Sequence, residues 1–248
     1  MAADDEAAGD WPVDPRRFAA ALAEQRTMRL KGGLYHLNQV QMAYNTNRIE
    51  GSRLDEEQTR LIFETRTVDG PAAVDDVVET ANHFRMFDRM LDGLGEPLTV
   101  GRIKEYHRLL KTGTSDADKE WFAVGEWKRV PNTVGGVPTT PPAAVAAAMD
   151  GLLARYPAGR PLGFADVCDF HAGFEAIHPF QDGNGRVGRL ILFQQCLENA
   201  LMPFIVLDEE KLFYYRGLSA YEDEPGFLRG TFRHFQDRYC ETYGAYVP

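Results

Sequence analysis

Apolar residues recur at helical spacing over most of the chain, a pattern that predicts a protein built mainly from α-helices. The clearest stretch is 72–94, where six apolar residues would fall on one buried side of a helix: Val74, Val77, Val78, Ala81, Phe84 and Phe87. The same spacing predicts further helices at 16–32, 33–51, 54–68, 98–113, 143–156, 163–178, 186–201, 209–221 and 226–239.

Capping and turn residues mark where several of these helices begin and end. Asp14 can cap the first helix, and Asp55 with Gln58 resembles a capping box at the start of the third. Gly51 follows the second helix and is expected to end it. The helical segments are therefore short and closely spaced, as in a bundle.

The segment 125–142 breaks the helical pattern. Its sequence is GEWKRVPNTVGGVPTTPP, in which isolated apolar residues are separated by Asn132, the pair Gly135-Gly136 and prolines. This arrangement favours a short β-hairpin or flap over a helix. We therefore predict an all-α fold that carries one small hairpin.

Composition and charge exclude several classes of protein. The 248 residues carry a net charge of −10 and no long run of Lys and Arg, which argues against a protein that mainly holds nucleic acid. The acidic residues 1–15 lack the basic start of a signal peptide, and no apolar run is long enough for a membrane span. We therefore expect a cytoplasmic protein with no membrane partner.

The three cysteines give no sign of a disulfide framework or a zinc site. Cys168, Cys196 and Cys240 are an odd number, lie far apart and show no CxxC spacing. We expect them to be buried or partly buried thiols.

Residues 178–189, HPFQDGNGRVGR, bring together polar groups that suit a polyphosphate. A helix that ends near His178, a loop over 179–185 and a helix that starts near Arg186 would let loop amides converge on an anion at a helix N-terminus. Arg186 and Arg189 lie one turn apart and can reach the same phosphates, and Asn184 can add an amide hydrogen bond. The segment thus predicts a phosphate cradle.

Two further residues of this segment suggest catalysis. A carboxylate such as Asp182 beside phosphates is repulsive unless a cation lies between them, and Mg²⁺ held by Asp182 and phosphate oxygens meets that need. His178 titrates near neutral pH and can take the proton from an attacking hydroxyl. His107 and His171 are more typical of packing residues and are the alternatives to His178 as a base.

The segment matches every defining position of the signature HPFx[DE]GNGRxxR, so the chain resembles the Fic family. The resemblance covers about residues 74–220. It implies an all-α Fic core with a hairpin flap, and transfer of AMP from ATP to a hydroxyl of a target protein with release of pyrophosphate. The implied organisation is an acidic mobile leader at 1–15, N-terminal helices at 16–73, the core at 74–220 and a closing helix at 221–248.

The resemblance also implies a role for each signature residue. His178 would be the general base, and Asp182 would hold Mg²⁺. Four residues would bind the α- and β-phosphates of ATP: Gly183, Asn184, Gly185 and Arg186. Arg189 would bind the γ-phosphate, and the flap, near residues 129–137, would dock the target segment by β-strand addition. Kinase relatives carry Lys at the position of Gly185, so this Gly favours AMP transfer.

A second match suggests autoinhibition. Residues 46–51, TNRIEG, fit the pattern [ST]xxxE[GN] of Fic proteins that have an N-terminal inhibitory helix. If Glu50 pairs with Arg189, that arginine is unavailable to the γ-phosphate. In some relatives the same Glu also positions water for the removal of AMP, so Glu50 is a candidate for both roles.

Several points stay open at this stage. Tyr214 and Tyr215 lie where the family often has an aromatic near the nucleoside, although aromatics in amphipathic helices are commonly core residues. A de-AMPylating hydrolase and a non-enzymatic nucleotide-sensing regulator are the alternative functions. The sequence leaves open the target protein and the oligomeric state, a homodimer included.

Overall fold

Ten α-helices make up most of residues 11–247, the part of the chain that this computed structural model describes. In chain order they are α1 (Arg16–Met28), α2 (Leu34–Ile49), α3 (Glu56–Thr65), α4 (Val74–Asp92), α5 (Val100–Lys111), α6 (Val145–Arg155), α7 (Phe164–Ile177), α8 (Asn184–Glu198), α9 (Lys211–Ser219) and α10 (Gly226–Tyr243). The all-α prediction is confirmed. Most of the predicted leader lies outside the described residues; inside them, Trp11 donates from Nε1 to Asp237 at 3.0 Å.

Helix α8 lies at the centre of the fold. Every residue from Asn184 to Leu197 is buried, and the helix packs against α1, α2, α4, α5 and α7. A helix that is covered on all sides needs partners for each polar group it carries, because an unpaired buried charge is costly. The polar groups at the start of α8 must therefore be held by several other elements.

Helix α2 also belongs to the core. Most of its residues are buried, including polar ones that find partners on other helices. Asn38 accepts a hydrogen bond from the Tyr239 hydroxyl at 2.7 Å, and Asn47 donates to the Thr80 hydroxyl at 3.2 Å. Because these contacts fix α2 along its length, the residue that follows its last turn, Glu50, has a defined position.

The predicted helix starts were mostly correct, but the cap of α1 and the buried face of α4 differ from the prediction. Pro15, and not Asp14, is the N-cap of α1, and Asp14 accepts from the Arg16 amide at 3.0 Å. The capping box at α3 is present, since Asp55 accepts from the Gln58 amide at 2.7 Å and Gln58 accepts from the Asp55 amide at 3.1 Å.

Val74, predicted to be buried, is 76% exposed. Phe84 and Phe87 are buried as predicted, Val77, Val78 and Ala81 are only partly buried, and Met86 and Met90 complete the buried face. The contacts of the first turn are made by polar side chains, since Asp75 and Asp76 accept from the amides of Ser115 and Arg53.

The predicted hairpin is present but short. Strands β1 (Thr133–Val134) and β2 (Val137–Pro138) pair antiparallel, with Val134 opposite Val137. Gly135 and Gly136 both have positive φ, 57° and 83°, as a two-residue hairpin turn of this kind requires.

Two other expectations concern the cysteines and the membrane. All three cysteines are free and buried, as predicted. Across residues 11–247, each helix is too short or too polar to cross a bilayer.

Candidate nucleotide site at the start of helix α8

The loop between α7 and α8 has the backbone conformation of an anion site. His178 follows α7 in the left-handed region, with φ 52° and ψ 62°, and Gly183 precedes α8 with φ 82°. Helix α8 begins at Asn184, two residues before the predicted start. The amides of its first turn have no partner within the helix, so they point out of its N-terminus at the positive end of the helix dipole.

The side chain of Asn184 is used to shape this loop. Its Oδ1 accepts from the Phe180 amide at 2.7 Å, and its Nδ2 donates to the Phe180 carbonyl at 2.9 Å. The side chain is almost completely buried. Asn184 can therefore offer an anion its backbone amide, while its side chain holds the loop that carries the neighbouring amides.

His178 has the tautomer and charge of a base. Its Nδ1 lies 3.3 Å from the carbonyl of Glu175, and because a carbonyl only accepts, Nδ1 carries the hydrogen and Nε2 the lone pair. Burial lowers the pKa of His178 below its ordinary value, although the hydrogen bond to Glu175 opposes the shift. The imidazole is therefore neutral at neutral pH, with Nε2 able to accept a proton.

The two alternative histidines are engaged in the core. The His107 ring stacks on Phe180 with 4.0 Å between ring centres, and its Nδ1 accepts from the Gly125 amide at 2.9 Å. Its Nε2 lies 3.1 Å from the Asp182 carbonyl and so donates to it. His171 Nε2 is 2.9 Å from the Tyr214 hydroxyl. Burial lowers the pKa of each ring to about 3, which keeps both neutral.

Asp182 belongs to a dense cluster of charges. Its Oδ2 accepts from Lys111 Nζ at 2.7 Å and from Arg186 Nη2 at 2.8 Å. Burial alone would raise the pKa of Asp182, but the charges of Arg186 and Lys111 outweigh it, and the pKa lies below the ordinary value. Asp182 is therefore ionised and available to a cation.

The acidic groups near Asp182 have the chemistry of a divalent metal site. Glu79 and Asp116 each bring a carboxylate oxygen, and the three oxygens lie within 4.8 Å of one another. Carboxylate oxygens are the ligands that Mg²⁺ prefers. The donor set therefore suits Mg²⁺, but Lys111 Nζ lies among the same three oxygens, so Asp182, the most exposed of the three carboxylates at 45%, is the one open to a metal.

The two arginines of the segment are buried and paired with carboxylates. Arg186 donates from Nη1 to Glu79 and from Nη2 to Asp182, while its Nε has no partner among the described residues. Arg189 donates from Nη2 to Glu50 at 2.5 Å and from Nε to the Thr46 hydroxyl at 2.6 Å. The predicted pairing of Glu50 with Arg189 is thus present.

The Glu50 carboxylate also lies directly against the start of α8. A Cβ atom built on Gly185 would overlap Glu50 Oε1 and would crowd the Arg189 guanidinium. Because Gly185 has no side chain, the carboxylate can lie directly beside the first turn of α8. A negative group thus lies beside Gly185 and Arg189.

Tyr214 and Tyr215 lie at the other side of Arg189. Tyr214 is buried, and its ring centre is 5.8 Å from the Arg189 guanidinium carbon. Tyr215 is half-exposed and donates from its hydroxyl to the Ile49 carbonyl at 3.2 Å. Tyr214 therefore packs against the Arg189 guanidinium from the side of the core, and Tyr215 binds the end of α2.

The hairpin is joined to the loop through side chains and backbone. The Lys128 amide donates to the Pro179 carbonyl at 2.8 Å, and Asn132 Nδ2 donates to the Phe180 carbonyl at 3.0 Å. Gln181 accepts from the Val130 amide at 3.1 Å and donates to its carbonyl at 3.2 Å. The flap is therefore positioned by the same loop that positions His178.

Sequence reasoning missed Glu79, Lys111 and Asp116. Lys111 continues the buried stripe of α5 that includes Ile103 and His107, a position where an apolar residue is usual. A lysine in such a position was a detectable sign of a buried charge partner. Glu79 and Asp116 carried no comparable sign, since an acidic residue on a helix or in a turn is normally solvated.

Comparisons with known proteins agree on one family. Residues 97–196 match the sequence model of the Fic/DOC family. The chain is 27% identical over 219 residues to the protein adenylyltransferase Fic of Drosophila willistoni, and 25% identical over 243 residues to that of Aedes aegypti. These matches cover 84% and 95% of this chain but 41% and 47% of the relatives, so the chain spans less than half of their length.

A solved structure supports the fold over almost the whole chain. A Fic domain containing signaling protein from Bacteroides thetaiotaomicron superposes with a TM-score of 0.75 at 22% identity. The match covers 93% of this chain and 96% of that protein. The helical Fic-type fold with a short hairpin is thus confirmed.

Proposed function

Because the chain contains a Fic/DOC family domain, matched by residues 97–196, we propose that it is an autoinhibited protein adenylyltransferase. It transfers AMP from ATP to a Ser, Thr or Tyr hydroxyl of a target protein or of itself, and pyrophosphate leaves. The observation that carries the proposal is the meeting of a neutral His178, the free amides of α8 and two buried arginines at one helix start. Several curated relatives named protein adenylyltransferase support the same activity.

His178 acts as the general base. The attacking hydroxyl oxygen forms a bond to the α-phosphorus while the bond from that phosphorus to the bridging oxygen of pyrophosphate breaks. The hydroxyl proton moves to His178 Nε2, which is free because Nδ1 donates to the Glu175 carbonyl.

The start of α8 binds the phosphates. The backbone amides that follow Gly183, those of Asn184, Gly185 and Arg186, donate to the α- and β-phosphates. The Arg186 guanidinium adds a positive charge beside them, and Asp182 would hold Mg²⁺. The chemistry that Mg²⁺ would supply at Asp182 is neutralisation of phosphate charge, which would ease the departure of pyrophosphate.

Glu50 inhibits the enzyme through Arg189. A γ-phosphate needs the Arg189 guanidinium, but the Glu50 carboxylate holds it at 2.5 Å and repels another anion from the same place. Because α2 is fixed by buried contacts, the block is relieved most easily by movement of the Glu50 side chain alone. ATP therefore binds weakly or unproductively until Glu50 releases Arg189.

The flap, residues 129–137, docks the target segment by β-strand addition. In the hairpin, Val134 and Val137 form the pair next to the turn, and Thr139 donates to the Asn132 carbonyl at 3.2 Å. In an antiparallel pair, residue pairs that share hydrogen bonds alternate with pairs that do not. Thr133 lies between two hydrogen-bonded pairs, so its amide and carbonyl point away from β2. On the other edge Pro138 offers no amide, so an incoming strand pairs with β1, on the edge of Thr133.

One observation favours a second activity at the same site. The Glu50 carboxylate lies against Gly185, at the mouth of the phosphate-binding turn. A carboxylate there can orient water towards the phosphorus of an AMP-modified hydroxyl, so Glu50 also supports removal of AMP from the target. Loss of Glu50 would then abolish AMP removal while it raises AMP transfer.

The test of the proposed function is transfer of label from ATP to protein in the presence of Mg²⁺. Three proteins are compared, the wild type, Glu50→Gly and Glu50→Gly with His178→Ala, each with ATP labelled on the α-phosphate or on the γ-phosphate. We expect protein-bound label from α-labelled ATP only, strongest in Glu50→Gly and absent in the double variant. Label from γ-labelled ATP alone would indicate a kinase, and no label from either would favour a nucleotide-sensing protein.

A further inference from the structure

Lys111, the last residue of α5, places its ammonium group in the middle of three carboxylates. Its Nζ lies 2.6 Å from Asp116 Oδ2 and 2.7 Å from Asp182 Oδ2, and it also pairs with Glu79. Only 1% of the side chain is exposed, whereas lysines are almost never fully buried unless they are paired. The ammonium thus occupies the position that a divalent ion would take among the same oxygens.

The charges around Lys111 form a closed ring. Lys111 contacts Glu79, Glu79 contacts Arg186, Arg186 contacts Asp182, and Asp182 contacts Lys111. Two cations and two anions alternate in this ring, so each of the four charges has an opposite charge on both sides. Removing one cation would leave a buried excess of negative charge, which is strongly unfavourable unless another cation replaces it.

The three carboxylates differ in their access to a metal. The side chains of Glu79 and Asp116 are 14% and 20% exposed, and both direct oxygens at Lys111. Asp182 is 45% exposed and lies in the phosphate-binding loop. With Lys111 in place, only Asp182 can share a metal with a bound nucleotide.

We propose that Lys111 is a positioning residue that serves as the resident cation of the Glu79–Asp116–Asp182 triad. It prevents Glu79 and Asp116 from acting as metal ligands and thereby makes metal binding depend on the phosphates of ATP. The inference rests on the proposed function for the role of Asp182, but it concerns the binding of metal and not the transfer of AMP. Its consequence is that loss of Lys111 converts the triad into a metal site that needs no nucleotide.

The direct test is binding of Mn²⁺, measured by electron paramagnetic resonance of the free ion in the absence of nucleotide. The proteins are the wild type, Lys111→Met, and Lys111→Met with Asp116→Asn. We expect Lys111→Met to bind about one Mn²⁺ per chain at least about tenfold more tightly than the wild type, and the double variant to lose that gain. A folded Lys111→Met protein that binds Mn²⁺ no better than the wild type would overturn the proposal.

A second measurement keeps the proposal testable if Lys111→Met does not fold. In the Glu50→Gly protein, Asp116→Asn and Asp182→Asn are compared for affinity towards Mn²⁺ in the presence of a non-hydrolysable ATP analogue. We expect Asp116→Asn to change that affinity by less than about twofold and Asp182→Asn to lower it by about tenfold or more. An equal loss in the two variants would make Asp116 a metal ligand and contradict the role of Lys111.

These readouts separate the two proposals. A gain of Mn²⁺ binding in Lys111→Met without any AMP transfer by Glu50→Gly would keep the role of Lys111 and refute the enzyme. AMP transfer by Glu50→Gly without a gain of Mn²⁺ binding in Lys111→Met would support the enzyme and refute the role of Lys111.

Discussion

The Glu50 carboxylate at the end of α2 holds the Arg189 guanidinium on α8, with 2.5 Å between Oε1 and Nη2. The two residues are 139 positions apart, and Arg189 is only 4% exposed, so few other groups can reach it. Thr46, one turn before Glu50, binds the same guanidinium through its hydroxyl and its carbonyl. The last turn of α2 therefore surrounds the arginine that the γ-phosphate would need.

The rate of AMP transfer should depend on the ionisation of His178. Because burial lowers the pKa of His178 below its ordinary 6.5, the base stays neutral, and the Glu50→Gly enzyme stays active, to a lower pH than a solvated histidine would allow. The measurement is the initial rate of label transfer by Glu50→Gly between pH 5 and 8. An acidic limb with its midpoint at or above pH 6.5 would disagree with the buried geometry.

Glu175 should make the protein less stable as the pH rises. Burial raises the pKa of Glu175 to about 8, the Arg189 charge opposes the shift, and Glu50 adds to it. Between pH 4.5 and about 8 the folded state keeps a proton on Glu175, whereas the unfolded state, with an ordinary pKa of 4.5, releases it. The contribution of Glu175 to the free energy of unfolding is therefore fully present below pH 4.5 and is lost as the pH rises to about 8.

Glu175→Gln tests this pH dependence because it keeps a neutral side chain at every pH. We expect the variant to exceed the wild type in free energy of unfolding at pH 8.5 by an amount on the order of a few kcal/mol, and the difference to shrink towards pH 5. Urea unfolding at several pH values measures it, with Glu57→Gln, an exposed carboxylate on α3, as the control. A difference that is the same at every pH would mean that Glu175 does not titrate in this range.

Changes at the free edge of β1 should weaken binding of the target protein and leave binding of ATP unchanged. Thr133→Pro removes the amide that points away from β2, whereas Thr133→Ala keeps the amide and changes only the side chain. We expect Thr133→Pro in the Glu50→Gly background to raise the KM for the target by about fivefold or more, with the KM for ATP unchanged and Thr133→Ala near normal. Equal effects of the two substitutions would indicate side-chain recognition instead of strand addition.

The helices, the hairpin and the Glu50–Arg189 pair were predictable because each depends on local sequence or on a recognised signature. The periodic apolar positions predict the helices, and the Gly135-Gly136 pair predicts the turn. The exposure of Val74 was not predictable, because periodicity does not show which side chains of a first turn meet a neighbouring segment.

The charge cluster could not be predicted for a related reason. Glu79, Lys111, Asp116 and Asp182 come from three parts of the chain, namely α4, the end of α5 with the turn after it, and the loop before α8, and the packing of α4 and α5 against α8 brings them together. The two hydrogen bonds between the Asn184 side chain and the Phe180 backbone were also not predicted, since the sequence suggested a phosphate contact for the same side chain.

The most direct test of the account is whether Glu50 blocks the γ-phosphate specifically. Calorimetry with Mg²⁺ would compare ATP and AMP binding to His178→Ala and to the same variant with Glu50→Gly, so that no transfer occurs. Because AMP has no γ-phosphate, we predict that Glu50→Gly raises ATP affinity on the order of tenfold, about 1.4 kcal/mol, and leaves AMP affinity within about twofold. An equal rise for ATP and AMP, or no rise for ATP, would contradict the account.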